Sequence, residues 1–414
     1  MNESVQARTA DRPRYVVGMD AHSRKLAISV WECEDPWRPV LCREVRCCLI
    51  ADLVPTYERL VPADSLTLIE ASTNSRSLKN TLAAAGFRAE VVKADLLSGR
   101  EAKRKVRDIQ DARNLALAYI RGDVRDFVWT PSDDYAEYRD VHFCYRDAVK
   151  ELTRTSNRIW SICSQRGLRL PIRAGATKAA EVRRMAAELG ASGFVRERLE
   201  MLVADYEFML ARRRRIERAM AEAVLREESM MRLMQLPGFY LHAAFAIAAV
   251  VEDARRFPSA SKLVAYAGMS PTLDTSGEEE DRAARRGGTG KPLDPEGRSD
   301  LRHYCCEAGQ AVLNLCARTP VGKWGWAMVN RGKPKNKVAC AVGHKLIMYA
   351  WHILRGDPTP NREGEGMFRR KMKRFYSELG RERMSELGYG SRDDFAAAMA
   401  AKLYGHLPEA RPAM

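Results

Sequence analysis

The chain has 414 residues, 46% of them hydrophobic, which is enough for two or three packed domains and excludes a single small disulfide-stabilised module. Its 69 Lys and Arg residues against 54 Asp and Glu residues give a formal net charge of +15, which favours nucleic acid over a membrane surface as the partner. There is no run of about 18 apolar residues, no apolar signal core at the N-terminus and no C-x-x-C spacing, so we expect a cytoplasmic protein without a membrane span or zinc ribbon.

The N-terminal third alternates between strand and helix patterns. Short apolar alternations bounded by turns predict strands, and apolar residues at three- and four-residue spacing predict helices. The predicted strands cover 14–20, 25–32, 39–47, 65–71 and 88–94, and the predicted helices cover 50–61, 76–86 and 106–122. Because only turn-length gaps separate the first three strands, we expect an antiparallel meander. The β-β-β-α-β-α-β-α order predicts an α/β domain on a mixed sheet.

Strand patterns are absent from about 133 to 227, where long amphipathic helix patterns occur. Apolar residues recur at mainly three- and four-residue spacing at Leu199, Val203, Tyr206, Leu210, Ile216 and Met220. We interpret this segment as a helical arm or coiled-coil pairing surface rather than a catalytic region. The consecutive Arg212, Arg213, Arg214 and Arg215 are either a solvated helix face or phosphate contacts.

The rest of the chain is predicted to be mainly helical. Pro237 and Gly238 separate two helical segments, which indicates either a helix-hairpin-helix, whose turn amides can meet a phosphate backbone, or an ordinary helix junction. A polar stretch of roughly two dozen residues then separates apolar helices, and loops of that length are commonly functional or disordered. A mostly apolar helix is predicted at 335–356, and a basic appendage broken by Pro and Gly follows it.

Four carboxylates of the α/β domain lie at the ends of predicted strands or on the last predicted helix. Asp20 ends the first strand, Glu70 ends the fourth, and Asp108 and Asp111 lie three apart on one face of the last helix. Each alone has an ordinary explanation as a turn former, a strand-end charge or a solvated helix face. If the sheet brings all four together, their charges require a cation, and oxygen ligands select Mg²⁺ or Mn²⁺. Two such ions can stabilise the attacking and leaving oxygens of a phosphodiester.

The residues around these acids resemble a known family. The shared stretches are GMDAHS, IEAS and RDIQDARNLA around the acids, and LPGFY, FPSASKLVAYAGMSP, TSG and KVACAVGHKL in the C-terminal half. Their order and spacing, over about residues 14–355, are similar to transposases of the insertion sequence one-ten family. Two departures are the absence of a Gly soon after the second acid and Val106 in place of a Lys; neither removes a carboxylate.

The sequence patterns and the resemblance together predict four segments, and the names of the two catalytic domains among them are what the resemblance implies. They are an RNase-H-like (RuvC-like) catalytic α/β domain at 14–130, a helical coiled-coil-like linker at 131–227, a mainly α-helical transposase domain at 228–356 and the basic appendage at 357–414. The resemblance also implies that Ser276 attacks a DNA phosphodiester and holds the broken end as a phosphoserine. Without it, a Ser followed by Gly indicates only a turn. Since Ser276 lies far along the chain from the acids, the active site is expected to be composite.

Basic residues near Ser276 are candidate phosphate contacts, and a solvated loop is the alternative. These residues are Arg282, Arg285, Arg286, Lys291, Arg298 and Arg302. The GGTGKP stretch is not a P-loop, because Arg285 stands in place of its first Gly and Pro292 in place of its Ser or Thr, so we predict no ATP binding. His22, close after Asp20, is predicted to finish a turn rather than to contact phosphate.

We therefore predict a DNA transposase or site-specific recombinase that depends on Mg²⁺ or Mn²⁺. The resemblance implies double-stranded donor and target DNA, guidance by a structured noncoding bridge RNA, and a homo-oligomer that is a dimer or a tetramer. One alternative is a structure-selective DNA endonuclease, such as a junction resolvase, that uses metal-activated water. The other is a non-catalytic nucleic-acid-binding scaffold.

Overall fold

The computed structural model describes residues 13–35, 37–93, 108–124, 127–167, 180, 183–184, 187, 193–271, 293, 295–358 and 361–405. The chain divides into two units, Met1–Pro131 and Ser132–Met414. Among the described helices, none combines the length and the apolar character that a bilayer crossing requires.

The N-terminal unit is built on a five-stranded sheet. Its strands and helices are β1 (Tyr15–Ala21), β2 (Lys25–Glu32), β3 (Val40–Leu49), α1 (Leu53–Leu60), β4 (Ser65–Glu70), α2 (Ser75–Ala84), β5 (Arg88–Val92) and α3 (Asp108–Arg121). The strand order is β3-β2-β1-β4-β5, with β1, β2 and β3 antiparallel and β4 parallel to both β1 and β5. The predicted meander and mixed α/β sheet are confirmed.

The central strand β1 is buried on both faces, which explains its nearly continuous apolar run. On one face Val17 and Met19 pack in a cluster with Tyr57 of α1. On the other face Val16 packs in a cluster with Leu115 of α3. Because side chains alternate along a strand, the even-numbered residues of β1 are directed to the α3 side.

The second unit is mainly helical, in agreement with the predicted fold class. Its helices are α4 (Asp133–Ser164), α5 (Phe194–Arg226), α6 (Glu228–Leu233), α7 (Leu241–Val251), α8 (Ala260–Tyr266), α9 (Ser299–Leu315), α10 (Pro320–Asn330), α11 (Lys335–Leu354), α12 (Glu365–Leu379), α13 (Arg381–Glu386) and α14 (Arg392–Tyr404).

The long helices α4 and α5 pair with each other as an antiparallel hairpin. Ile159, near the end of α4, shares a hydrophobic cluster with Leu199 and Val203 near the start of α5. At the opposite end of the hairpin, the Tyr138 hydroxyl donates to Glu227 Oε1 at 3.2 Å. The apolar spacing seen in the sequence therefore serves helix pairing within this chain.

The Pro237-Gly238 turn between α6 and α7 is packed against α9. A Cβ at Gly238, whose φ is +79°, would lie 2.4 Å from the Ala308 carbonyl oxygen, so only glycine fits without displacement. Leu236 and Phe239, on either side of the turn, are 0% exposed. This burial supports an ordinary helix junction over a turn whose amides face a phosphate backbone.

Residues 365–404, which the sequence suggested only as part of a basic appendage, form α12, α13 and α14 and pack into the core of the second unit. Phe368, Met372 and Phe375 are 0% exposed and belong to the same hydrophobic cluster as α7, α9 and α11. Their three- and four-residue spacing places them on one face of α12, while basic residues occupy the opposite face. The overall composition of this segment is basic, so composition alone does not indicate the apolar face of α12.

A buried ion pair joins this segment to the turn between α6 and α7. Lys371 Nζ lies 2.9 Å from Glu363 Oε1 and donates to the carbonyl oxygens of Met234 at 2.9 Å and Leu236 at 2.8 Å. Neither Glu363 carboxylate oxygen receives a well-aligned hydrogen bond from the described part of the chain, so the contact with Lys371 is an ion pair. Burial raises the pKa of Glu363 to about 7, against the opposing charge of Lys371.

Candidate metal centre

Two acids lie side by side at the ends of neighbouring parallel strands. β1 and β4 pair as far as Met19 opposite Ile69, so Asp20 and Glu70 each follow the last paired residue. Asp20 is 8% exposed and Glu70 is half-buried. Because the strands are parallel, both carboxylates reach the same edge of the sheet, which is the juxtaposition expected from the sequence.

Helix α3 brings two more acids to this edge because it packs directly on β1. Asp108 and Asp111 lie in its first turn. Gly18 precedes Asp20 by two residues and therefore lies on the same face of β1. A Cβ at Gly18 would lie 1.8 Å from the Ala112 carbonyl oxygen, so the close approach of α3 depends on this glycine.

A bidentate ion pair also holds α3 against the edge strand β3. Arg113 Nη2 donates to Glu44 Oε2 at 2.6 Å, and Arg113 Nε contacts Oε1 of the same carboxylate. The hydrogen bond from Arg113 is the main cause that lowers the pKa of Glu44, so the pair stays ionised. The start of α3 is thus positioned by Gly18 on one strand and Arg113 on another.

His22 adds an imidazole to the cluster. Its Nε2 lies 3.4 Å from Asp20 Oδ2 and 3.5 Å from Asp108 Oδ2, and ligand atoms of the three residues lie within 4.8 Å of one another. Its backbone also closes the β1–β2 turn, where its N–H donates to the Lys25 carbonyl oxygen at 3.0 Å. The backbone of His22 therefore lies in the turn, as predicted, and its side chain also contacts Asp20 and Asp108. The position of His22 two residues after Asp20, just beyond the end of β1, is the signal in the sequence that could have indicated this.

Burial and mutual repulsion raise the pKa of three of these carboxyl groups. For Asp20 burial is the largest cause; Asp111 and Asp108 raise the pKa further, and His22 opposes them. Burial is also the largest cause for Glu70, followed by the charges of Asp20 and Asp111. The pKa of Asp111 is raised by burial and then by Asp108. Each of these acids is therefore close enough to the others for their negative charges to raise its pKa.

The donor set fits a divalent cation. Carboxylate oxygens are preferred ligands of hard ions such as Mg²⁺ and Mn²⁺, and an imidazole nitrogen also suits softer transition metals. A cation would relieve the repulsion that raises the pKa values of Asp20, Glu70 and Asp111. The cluster is therefore a candidate metal centre whose donors are compatible with more than one metal.

Several predicted site residues lie outside the described part of the chain: Ser276, Arg282, Arg285, Arg286 and Lys291. The residues that flank them are described. Pro271 and Leu293 form an antiparallel bridge, and the Arg298 N–H donates to the Tyr266 carbonyl oxygen at 2.9 Å. The two ends of the segment that contains Ser276 therefore lie side by side.

Arg298, a predicted phosphate contact, is paired with a buried acid. Its Nε and Nη2 donate to Asp300 Oδ1 at 3.0 Å and Oδ2 at 2.6 Å. His142 Nε2 lies 3.4 Å from Asp300 Oδ2, but this contact is poorly aligned, so Arg298 is the stronger partner. Although burial alone would raise the pKa of Asp300, these two neighbours hold it far below its usual range. Arg298 thus fixes the start of α9, and its contact with phosphate stays a prediction.

The remaining predicted phosphate contacts differ in their surroundings. Arg302 is half-buried, with Nη2 at 3.5 Å from the carbonyl oxygens of Pro295 and Gly297. In the run at 212–215, the second arginine, Arg213, forms an ion pair with Glu217 at 3.5 Å, and the other three are exposed. Phosphate binding by these residues stays a prediction.

Two comparisons with known proteins agree on one family. Residues 230–320, which span α7, α8 and α9, match the family model described as "Transposase IS116/IS110/IS902 family". A protein of Pseudomonas aeruginosa strain PAO1, described as "Probable family 20 transposase", is 25% identical over 250 residues, which cover 60% of this chain and 71% of that protein. Both comparisons therefore support a similarity of this chain to the IS116/IS110/IS902 transposase family, the insertion sequence one-ten family that its motifs resemble.

Proposed function

We propose that this transposase cleaves and rejoins DNA strands at a metal centre formed by Asp20, Glu70, Asp108 and Asp111. The observation that carries the proposal is the meeting of acids from two parallel strands and one helix at a single sheet edge, with raised pKa values. Such repulsion makes the cluster a strong site for a cation. Transposases act on DNA, and the net charge of +15 agrees with double-stranded donor and target DNA as partners.

An RNase-H-like, RuvC-like nuclease fold for the N-terminal unit is part of this proposal. The sheet order β3-β2-β1-β4-β5, with three antiparallel strands followed by two parallel ones, supports it. The placement of two acids in the first turn of α3, beside the ends of β1 and β4, supports it further.

Mg²⁺ or Mn²⁺ is the proposed cation, and when bound it would stabilise negative charge on the attacking and leaving oxygens of a phosphodiester. Asp20 and Glu70 would hold it from the sheet, and Asp108 and Asp111 from α3. His22 would either supply Nε2 as a ligand or hold the carboxylates of Asp20 and Asp108, which its Nε2 meets at 3.4 and 3.5 Å.

Ser276 is the proposed nucleophile. Its Oγ forms a bond to the phosphorus of a DNA phosphodiester while the bond from phosphorus to the departing strand breaks. The serine hydroxyl loses its proton, and the departing oxygen gains one. A hydroxyl of another strand then displaces the serine, and because the ester bond is retained throughout, the exchange needs no ATP. Since the acids and Ser276 belong to different units of the chain, we propose a composite site within a dimer or tetramer.

A structured noncoding RNA encoded beside the gene is the proposed guide that pairs with donor and target. The family resemblance and the basic net charge support this part of the proposal. Purification of the protein from its host, followed by sequencing of the bound RNA, tests it. One discrete RNA from the flank of the element is expected, whereas a random sample of cellular RNA would contradict guidance.

The strand-exchange proposal is tested with full-length protein, a plasmid that carries the element's own end, the RNA transcribed from its flank, and Mg²⁺. Wild-type protein should form a detergent-resistant covalent adduct with nicked DNA. Ser276→Ala should abolish both the adduct and strand exchange, whereas the matched variant Ser270→Ala should retain both. Asp20→Asn should abolish cleavage.

Three outcomes would contradict the proposal. Nicking without any adduct, together with full activity of Ser276→Ala, would indicate an endonuclease that uses water at the same acids. Unchanged strand exchange by Asp20→Asn in Mg²⁺ would remove the metal centre from the mechanism. Binding of DNA without cleavage under all these conditions would indicate a non-catalytic scaffold.

A further inference from the structure

Helices α9 and α11 cross with their backbones in contact. A Cβ at Gly309 of α9 would lie 2.0 Å from the Ala339 carbonyl oxygen of α11. A Cβ at Gly343 of α11 would lie 2.4 Å from the Cys305 carbonyl oxygen of α9. The two glycines therefore bring the helices closer than side chains at those positions would allow.

This close crossing places two thiols against each other. Cys306 Sγ of α9 and Cys340 Sγ of α11 lie 3.5 Å apart. Both residues are partly exposed, whereas the neighbouring Cys305 is buried. Formation of an S–S bond of about 2.05 Å requires the sulfurs to approach by about 1.5 Å.

The contact also activates one of the thiols. The hydrogen bond between the sulfurs, in which either thiol can donate, is the largest cause that lowers the pKa of Cys340 to about 7 and that raises the pKa of Cys306. A thiol with such a pKa is substantially thiolate near neutral pH, and thiolate is the species that reacts with oxidants. By contrast, burial raises the pKa of Cys305 to about 12, so this thiol is inert.

We propose that Cys306 and Cys340 are a thiol–disulfide modification site, oxidised by hydrogen peroxide or an organic hydroperoxide to a disulfide that cross-links α9 to α11. The Cys340 thiolate attacks one peroxide oxygen, which gives a sulfenic acid and releases hydroxide or alkoxide. The Cys306 sulfur then attacks the sulfenic sulfur and releases water. In sum, two thiols lose two electrons and two protons, and the peroxide is reduced to water, or to water and an alcohol.

One end of the cross-link, Cys306 on α9, lies within residues 230–320, which match the transposase family model, and the other end, Cys340, lies beyond them. Helix α9 also follows directly on the segment that contains Ser276. Oxidation therefore makes the α9–α11 crossing covalent without involving the acid cluster, and the modification does not depend on the proposed strand-exchange mechanism.

The test is a peroxide titration of reduced, folded full-length protein, followed by thiol alkylation, trypsin digestion and mass spectrometry without reduction. A disulfide between peptides 303–318 and 338–345 is expected, and tandem fragmentation should assign it to Cys306 and Cys340. The number of free thiols should fall by two from the ten of the reduced chain and should return to ten with dithiothreitol. The pair should oxidise before the exposed Cys144.

Cys306→Ser and Cys340→Ser should each abolish the cross-link, whereas Cys144→Ser should retain it. Circular dichroism of each reduced variant establishes that it is folded. The proposal is overturned if the linkage involves Cys305 or Cys316 instead, or if Cys144 is oxidised while Cys306 and Cys340 remain alkylatable. A cross-link that forms only in denaturant would also overturn it.

Discussion

Gly18→Ala is the sharpest test of how the acid cluster is assembled. Gly18 lies in the middle of β1 and carries no functional group, yet the Ala112 carbonyl oxygen of α3 occupies the space that a Cβ would need. The substitution adds one methyl group on the face of β1 that leads to Asp20. It should therefore displace α3, which carries Asp108 and Asp111, without altering any candidate ligand.

The displacement can be worked out from the structure. The added Cβ would lie 1.8 Å from the carbonyl oxygen, whereas ordinary contact begins at 3.4 Å, so β1 and α3 must separate by about 1.6 Å. Metal–ligand distances tolerate only about 0.2 Å. We therefore expect a loss of Mn²⁺ affinity of at least about 100-fold, equivalent to about 2.8 kcal/mol. Overpacking of a core of this kind typically costs about 1–3 kcal/mol of stability.

Two measurements on the full-length protein check this prediction. Isothermal titration with Mn²⁺ gives the affinity, and hydrogen exchange of peptides from β1 and α3 gives the local stability, which should fall enough to speed exchange roughly 5- to 150-fold. Gly366→Ala is the matched control, because a Cβ at Gly366 meets nothing within 4 Å. Wild-type Mn²⁺ affinity and exchange rates in Gly18→Ala would refute the proposed dependence of the cluster on this close approach.

Three further predictions concern the charged groups. Asp20→Asn should lower the affinity for Mn²⁺ by at least about 100-fold. This exceeds the loss expected when the mutated residue only supports a metal ligand through a hydrogen bond. A change below about 10-fold, measured by titration, would count against Asp20 as a ligand. In the folded protein the pKa values of Asp20 and Glu70 lie above the ordinary 3.8 and 4.5. As the pH drops through these raised values, the two carboxylates take up protons, so the affinity for Mn²⁺ should fall. Because the folded state binds these protons more tightly than the unfolded state, the metal-free N-terminal unit should gain stability over the same pH range. Titrations over a pH series check this, and an affinity that stays flat down to the ordinary carboxyl range would contradict it. Lys371→Met should destabilise the second unit by about 3–5 kcal/mol in urea unfolding, because Glu363 must then be buried either as an unpaired charge or after taking up a proton, and the carbonyl oxygens of Met234 and Leu236 lose their donor. Lys371→Met with Glu363→Gln should recover most of the loss. A single variant within about 1 kcal/mol of wild type would mean that the pair does not hold the segment.

Local sequence patterns determined the elements of the N-terminal unit and the candidate acids. Period-two and period-3.6 apolar spacing depends only on neighbouring residues, so the strands around Asp20 and Glu70 and the helix with Asp108 and Asp111 could be predicted in order. From the sequence, the acids could be grouped only on the condition that the sheet brings the strand ends together, and the strand order β3-β2-β1-β4-β5 meets this condition for Asp20 and Glu70. The role of Ser276 rested on family resemblance, and it lies outside the described residues.

Only the tertiary structure shows which contacts position the acid cluster and the C-terminal helices. Gly18 is required because α3, which is distant in sequence, packs directly on it. The side chain of His22 belongs to the acid cluster because the folded chain places Asp108 beside it. The pairing of Arg298 with Asp300 and the burial of Lys371 in an apparently basic tail likewise depend on packing among separate elements. A sequence pattern reports which face of an element is apolar, but the partner of that face is chosen by the free energy of packing the whole chain, and this information is not local.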